Sequence, residues 1–281
     1  MPYMIHVGPA GYPVGSKGPI DAVERAVASG FTALEMQFVR QARMQEPIAI
    51  EAGEKARKLG LRLSAHAPYY INFNSLTEET AKKSEEWVFL TAQIAHWLGA
   101  KVIVMHAAVS RENDRKGCTE QVVKGISNCR DRMRAEGIDD VLLGLETGGK
   151  KVAWGTLEEV SAVMDQVDGV VPVIDFGHLH ARSGGGMRTQ NDFKRVLDDY
   201  QRISDGPLHC HFSCIEFTDA GERKHLPLDR KQPDFVLFAG CLKDSKLEVT
   251  IISETPEPEE GAKEMQRILA DAKAETRRSR R

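Results

Sequence analysis

The chain has 281 residues, of which 41% are hydrophobic and 28% charged, a mix that excludes a disordered chain, a collagen-like repeat and a small disulfide scaffold. Lysine and arginine number 38 and aspartate and glutamate 41, for a net charge of −3, which excludes a uniformly basic protein but not a local basic face. No apolar run nears the roughly 18 residues of a membrane span, and the opening MPYMIHVGPAGYP lacks the basic region and apolar core of a signal peptide.

The predicted elements alternate from the start. IHVG (5–8) predicts a strand and 18–29 a helix; ALEMQF (33–38) and 47–59 repeat the pair. LRLSAH (61–66) precedes a long helix at 77–98, and KVIVMH (101–106) one at 118–136. VLLGLE (141–146) precedes a helix at 156–167, and VVPVID (170–175) one at 190–202. LHCHFS (208–213) leads through a long loop to a helix at 232–242, and LEVTIISE (247–254) precedes a last helix at 258–275. Strands alternating with helices predict parallel βαβ units. Eight of them in this length predict an α/β fold, a single-domain (β/α)8 TIM barrel over residues 1–276. An open doubly wound sheet is the alternative, but HVGPAGYPVG lacks the G-x-G-x-x-G phosphate turn. RRSRR (277–281) is expected to be a basic C-terminal tail. The five cysteines, at 118, 129, 210, 214 and 241, form no C-x-x-C pair. They fit reduced thiols in a cytoplasmic protein.

The reactive residues fall at the strand ends. His66 ends the third strand, His106 the fourth, Glu146 the fifth, Asp175 the sixth and Glu254 the eighth. His178 follows Asp175 by three, and His209 and His211 lie in the seventh strand. Barrel enzymes work at the C-terminal ends of their strands, so six consecutive strands deliver ligand-type side chains to one rim. One such histidine alone is more often a hydrogen-bonded core residue, and one such carboxylate a helix cap. Several carboxylates converging on one rim would repel one another, and a cation is the simplest compensation. Imidazole with carboxylate is the ligand set of Zn, Mn or Fe(II). His209 and His211 share a face; His211 is nearer the rim, and His209 is expected in an inner layer. His180 is expected in a loop, and His6 and His96 receive no role.

Five of the rim loops (39–46, 107–117, 147–155, 176–190 and 213–230) are together net basic by five charges, which suits an anionic substrate. Scatter in short charge counts is the plain alternative. The third loop, HAPYYINFNS, adds aromatics and asparagines. Such residues can stack on bases beside a basic groove, or simply pack.

HVGPAGYPVG, SAHAPYYINF, VMHAA, LLGLETGG, VIDFGHLHA, HCHFS and ISETP, in that order, resemble the endonuclease IV family of metal-dependent apurinic/apyrimidinic endonucleases. The resemblance spans essentially the whole chain. It implies hydrolysis of the phosphodiester 5′ to an abasic site in double-stranded DNA, by a cytoplasmic monomer with no membrane partner. It implies two or three Zn2+ per chain, with Mn2+ or Fe2+ as alternatives. By position, His66 and His106 would bind one ion, Glu146 would bridge it to a second, and Asp175, His211 and Glu254 would complete the second. His178 and His225 would belong to a third. Tyr69 and Asn72 would face DNA, and Arg43 would match an arginine inserted into the duplex.

Two departures stand out. The family's third site uses an Asp-x-His pair, but Arg223 stands two residues before His225. The nearest acid is Glu222, while Asp219 and Asp229 lie further off. The loop after Glu146 reads Thr-Gly-Gly instead of the Asn-Thr-Ala-Gly type. Two other readings therefore stay open. One is a sugar isomerase or epimerase of the same barrel, with Glu146 and Glu254 as an acid–base pair and Glu35 nearby. The other is a divergent binding barrel that does not cleave.

Overall fold

The computed structural model describes residues 4–110 and 114–279. The chain runs β1 (Ile5–Pro9), α1 (Pro19–Ala28), β2 (Ala33–Gln37), α2 (Glu46–Leu59), β3 (Arg62–His66), α3 (Glu78–Leu98), β4 (Val102–Met105) and α4 (Arg115–Ala135). It continues through β5 (Leu142–Glu146), α5 (Leu157–Met164), β6 (Val170–Asp175), α6 (Phe176–Arg182), α7 (Gln190–Ile203), β7 (Leu208–Phe212), β8 (Cys214–Thr218) and β9 (Gly221–Leu226). A 3-10 turn, α8 (Phe235–Asp244), β10 (Val249–Ser253) and α9 (Pro258–Ser279) complete it. Eight parallel strands lie in the order β1-β10-β7-β6-β5-β4-β3-β2. The molecule is a (β/α)8 barrel, as the alternation predicts.

The ends of that sheet close on each other. Ala10 bridges Glu35, Gly11 N–H donates to the Glu35 carbonyl at 2.9 Å, and Thr32 N–H donates to that of Val7 at 3.0 Å. Gly8 makes the closure possible, because a Cβ there would sit 1.7 Å from the Ala33 carbonyl oxygen.

Strand alternation then sorts the side chains. In β7, Cys210 and Phe212 face outward; Phe212 packs with Phe176, Phe193, Phe235 and Phe238 under the helices. His209 and His211 face inward between them. The register sets Asp175 beside His211.

Two connections differ from expectation. The segment after β6 is a helix, α6, because the Asp175 carboxylate caps it by accepting from His178 N–H at 2.6 Å. His180 is therefore a buried helical residue, edge-on to Phe217, and not a loop residue. The long loop after β7 is an antiparallel hairpin, β8–β9. Strand β9 is too polar to show the alternation that marks a half-buried strand. Helix α9 runs to Ser279, and Arg280 and Arg281 of the expected tail lie outside the described residues.

Candidate metal centre

The rim side chains gather around Glu146, which is fully buried at the end of β5. His66 Nε2 and His106 Nε2 each lie 3.2 Å from its Oε2. His211 Nδ1 lies 3.3 Å and His178 Nδ1 3.2 Å from its Oε1. Glu254 Oε1 lies 3.5 Å from His211 Nδ1. Three compact groups result: His66–His106–Glu146, Glu146–Asp175–His211–Glu254, and His178–Glu222–His225. Glu146 belongs to the first two.

The donor atoms suit a cation. Asp175 Oδ1 is spent on capping α6, but its buried Oδ2 accepts no hydrogen bond among the described residues. A buried carboxylate oxygen without a donor is costly. Four histidines are also oriented from behind. His66 Nδ1–H donates to the Ala67 carbonyl at 2.7 Å, His178 Nδ1–H to that of Thr147 at 2.9 Å, and His225 Nδ1–H to that of Glu254 at 2.9 Å. His211 Nε2–H donates to Glu35 Oε2 at 3.3 Å. A neutral imidazole has one N–H and one lone pair, so in each ring the other nitrogen offers its lone pair to a group. Such outer partners are the usual companions of metal-ligating histidines.

Without a cation, the carboxylates instead favour the charged form of two of these rings. Burial raises the Glu146 carboxyl, but His106 and His211 outweigh it and hold the group well below the usual range. Burial would likewise lower His178 and His211, yet Asp175 and Glu146 raise the first, and Glu35 and Glu254 the second, well above 6.5. His106 goes the other way, to about 4, through burial. Burial pushes the Glu254 carboxyl up.

The hairpin builds the third group. Partners run Glu216–Lys224 and then Phe217–Glu222, so Arg223 is an inserted residue on β9. Glu222 N–H donates to the Gly149 carbonyl at 3.1 Å, and Gly221, at φ 103°, lets the hairpin lie against that loop. Glu222 Oε2 then stands 3.5 Å from His178 Nε2. Arg223 points away and pairs with Glu216 at 2.7 Å.

His66, His106, His178, Glu222, His225 and Glu254 floor a cavity of about 630 Å³ rimmed by Gln37, Val39, Tyr69, Ile71, Val109 and Lys150, while Glu146, Asp175 and His211 lie outside its lining. Tyr69 is half-exposed, its ring 5.4 Å from His66, and burial with Glu254 and Glu146 pushes its hydroxyl up to about 12. A larger cavity of about 860 Å³ lies at the opposite end of the barrel, lined by Arg57, Leu63, Trp97 and Pro207. It holds none of these three groups, and barrel chemistry belongs to the other end.

Two of the residues expected to contact DNA lie outside the cavity lining. Asn72 Oδ1 accepts from the N–H groups of Asn74 at 3.1 Å and Val109 at 3.3 Å, so the side chain ties two loops together and does not line the cavity. Arg43 is exposed outside the cavity lining. The basic rim is also thinner than its sequence charge. Arg182 holds the carbonyls of Gly148, Lys150 and Ala153, Arg115 pairs with Glu159, and Arg223 and Lys224 pair with Glu216. Arg40, Arg43, Lys150 and Lys151 make no ion pair among the described residues.

Two functional-looking carboxylates were hard to assign from sequence. Glu222 is displaced by one position from the expected Asp-x-His spacing. Glu35 is buried in β2, bonded to His209 and His211; a lone acid inside an apolar strand run was the signal available for it.

Fold and site define a (β/α)8 barrel with candidate ion sites at its C-terminal rim. The chain belongs to the xylose isomerase-like TIM barrel family, which matches residues 23–272. It is 29% identical over 90% of its length to 92% of an uncharacterised protein of Methanocaldococcus jannaschii. It is 32% identical over 67% of its length to 69% of a "Probable endonuclease 4" of Heliobacterium modesticaldum. Endonuclease IV of Thermus thermophilus shares the fold with a TM-score of 0.76, at 22% identity, covering 96% of this chain and 99% of that one. A D-tagatose 3-epimerase-like protein shares it at 0.73, with 18% identity, covering 97% and 100%. No helix among the described residues is long and apolar enough to cross a membrane.

Proposed function

We propose that the protein is a metal-dependent phosphodiester hydrolase that cuts double-stranded DNA on the 5′ side of abasic sites. The observation that carries the reading is the adjoining of three ligand groups around one rim, two of them sharing Glu146. Sequence likeness to a "Probable endonuclease 4" points the same way.

His66, His106 and Glu146 would hold one divalent ion, Zn2+ being the first choice. Glu146, Asp175, His211 and Glu254 would hold the second, and His178, Glu222 and His225 a third. Bound ions supply activation of a water and neutralisation of phosphate charge, which is what hydrolysis of an anionic diester needs.

The chain's own residues do the rest. Glu146 fixes the separation of the first two groups by offering one oxygen to each. The cavity admits a sugar-phosphate turned out of the duplex, which costs least where a base is already missing. Tyr69, Val39 and Val109 give that mouth an apolar collar, while Lys150 and Lys151 offer charge to the backbone phosphates. Arg40 and Arg43 stand ready for phosphate on the side of the β2–α2 loop. The protein would act in the cytoplasm as a monomer.

The test is cleavage of a duplex oligonucleotide carrying one abasic site, after loading with Zn2+ or Mn2+. A single chelator-sensitive cut 5′ to the lesion is expected. Absence of a cut from fully loaded protein would remove the reading. An epimerase is the second reading, favoured by Glu146 and Glu254 flanking His211 at 3.3 and 3.5 Å. It expects one or two ions per chain and turnover of keto-sugars instead of DNA.

A further inference from the structure

Below the rim, Glu35 of β2 meets His209 and His211 of β7 in a fourth group of ligand-type side chains. Glu35 is fully buried and accepts from four neighbours. Gln37 Nε2 donates to its Oε1 at 3.0 Å. Ser64 Oγ, His209 Nε2 and His211 Nε2 donate to its Oε2 at 2.9, 3.1 and 3.3 Å. An ionised carboxylate has about four lone-pair sites. Four protein donors satisfy the carboxylate here, three of them on Oε2, so it needs no cation to balance it. The fourth group is a support and not an ion site.

What it supports is His211. With Nε2–H on Glu35, the ring's lone pair lies on Nδ1, which faces Glu146 and Glu254. His66, His178 and His225 are held instead by main-chain carbonyls. A hydrogen bond to a carboxylate is roughly twice as strong as one to a neutral acceptor, and it makes the opposite nitrogen a better ligand.

We propose that Glu35 is a positioning residue: it holds His211 in the tautomer and orientation that present Nδ1 to the Glu146–Asp175–Glu254 group, and Ser64 and His209 hold Glu35 in turn. The inference rests on that group being an ion site, as the proposed function has it, and not on what the substrate is.

The test is Co2+ titration of metal-stripped protein, followed by visible absorption. Four proteins are compared: wild type, Glu35→Gln, His211→Asn and the double variant. Glu35→Gln is expected to weaken one Co2+ site by about 10–100-fold and leave the others unchanged. In the double variant it is expected to add nothing to His211→Asn, because it acts through that ring. Full additivity, a uniform loss at all sites or a fourth Co2+ in the wild type would each overturn the proposal. If Glu35→Gln does not fold, 15N shifts of His211 in the Zn2+-loaded wild type decide instead. A protonated Nε2 is expected, and a protonated Nδ1 would overturn it. A wild type that takes up no Co2+ removes the ion site itself, and with it both readings, whereas unchanged Co2+ affinity in Glu35→Gln removes only this one.

Discussion

Glu222 and His225 stand three residues apart on β9 yet meet, with His225 Nε2 3.9 Å from Glu222 Oε1. On a regular strand they would face opposite ways. The inserted Arg223 reverses the alternation between them, as a bulge does. An acid and a histidine are thus brought together at a spacing that the sequence pattern Asp-x-His does not contain.

Glu222→Ala is expected to weaken the third ion by about 10–100-fold, while Arg223→Ala leaves it unchanged. The Arg223–Glu216 pair is exposed, and loss of such a pair costs about 0–1 kcal/mol. Ion-by-ion titration of both variants checks this. Equal losses would mean that the hairpin's fold, and not the Glu222 carboxylate, governs the group.

Glu146→Gln is expected to leave the barrel folded and to lower cleavage by about 100-fold or more, since the amide can no longer serve both groups. The measurement is turnover on abasic duplex beside circular dichroism of the same sample. Activity within a few-fold of wild type would show that Glu146 does not link the two groups.

Much of this was readable in the residues. Each strand's last apolar step before His66, Glu146, Asp175 and Glu254 marks where the barrel presents side chains, and the alternation itself implies the closed sheet. What could not be read depends on local geometry. The bulge at Arg223 exists only once β8 and β9 pair, and the helix after Asp175 depends on one capping carboxylate. The place of the Asn72 side chain depends on which loop lies beside it: it accepts from Val109, 37 residues on. The rim's net basic count also concealed how many of its cations are bound to the protein's own carbonyls and carboxylates.

Gly8→Ala tests the barrel's closure. The added Cβ would fall 1.7 Å from the Ala33 carbonyl oxygen, which is backbone and cannot turn aside. Overpacking of this kind typically costs about 1–3 kcal/mol, and here the upper end or beyond is expected. Denaturant unfolding measures it. A midpoint equal to wild type would mean that β1 and β2 can separate without loss.

Tyr69→Ala is expected to weaken binding of abasic duplex by about 1–3 kcal/mol, the worth of an aromatic platform beneath a nucleotide. Its half-exposed ring stands over His66 without bonding to it. Metal content should therefore stay at the wild-type level. Lost metal would make Tyr69 a packing residue of the first group.

His178 and His211 are held above 6.5 by the surrounding carboxylates. A raised histidine contributes stability that is complete below its ordinary 6.5 and is lost as pH rises through the folded value. Glu146 and Glu35 are held below 4.5, so their contribution is present above 4.5 and is lost as pH falls through their folded values. The metal-free protein should therefore draw most from this network between 4.5 and 6.5, and its Tm should fall on the alkaline side. Ion binding needs the lone pairs of His211 Nδ1 and His178 Nε2, so it must expel the protons held there. Calorimetry in buffers of different ionisation enthalpy should find net proton release near pH 7, with affinity rising as pH rises. No release, together with a Tm of the metal-free protein that does not fall above pH 6.5, would mean that both rings are already neutral and that the carboxylates around them do not hold a charge in place.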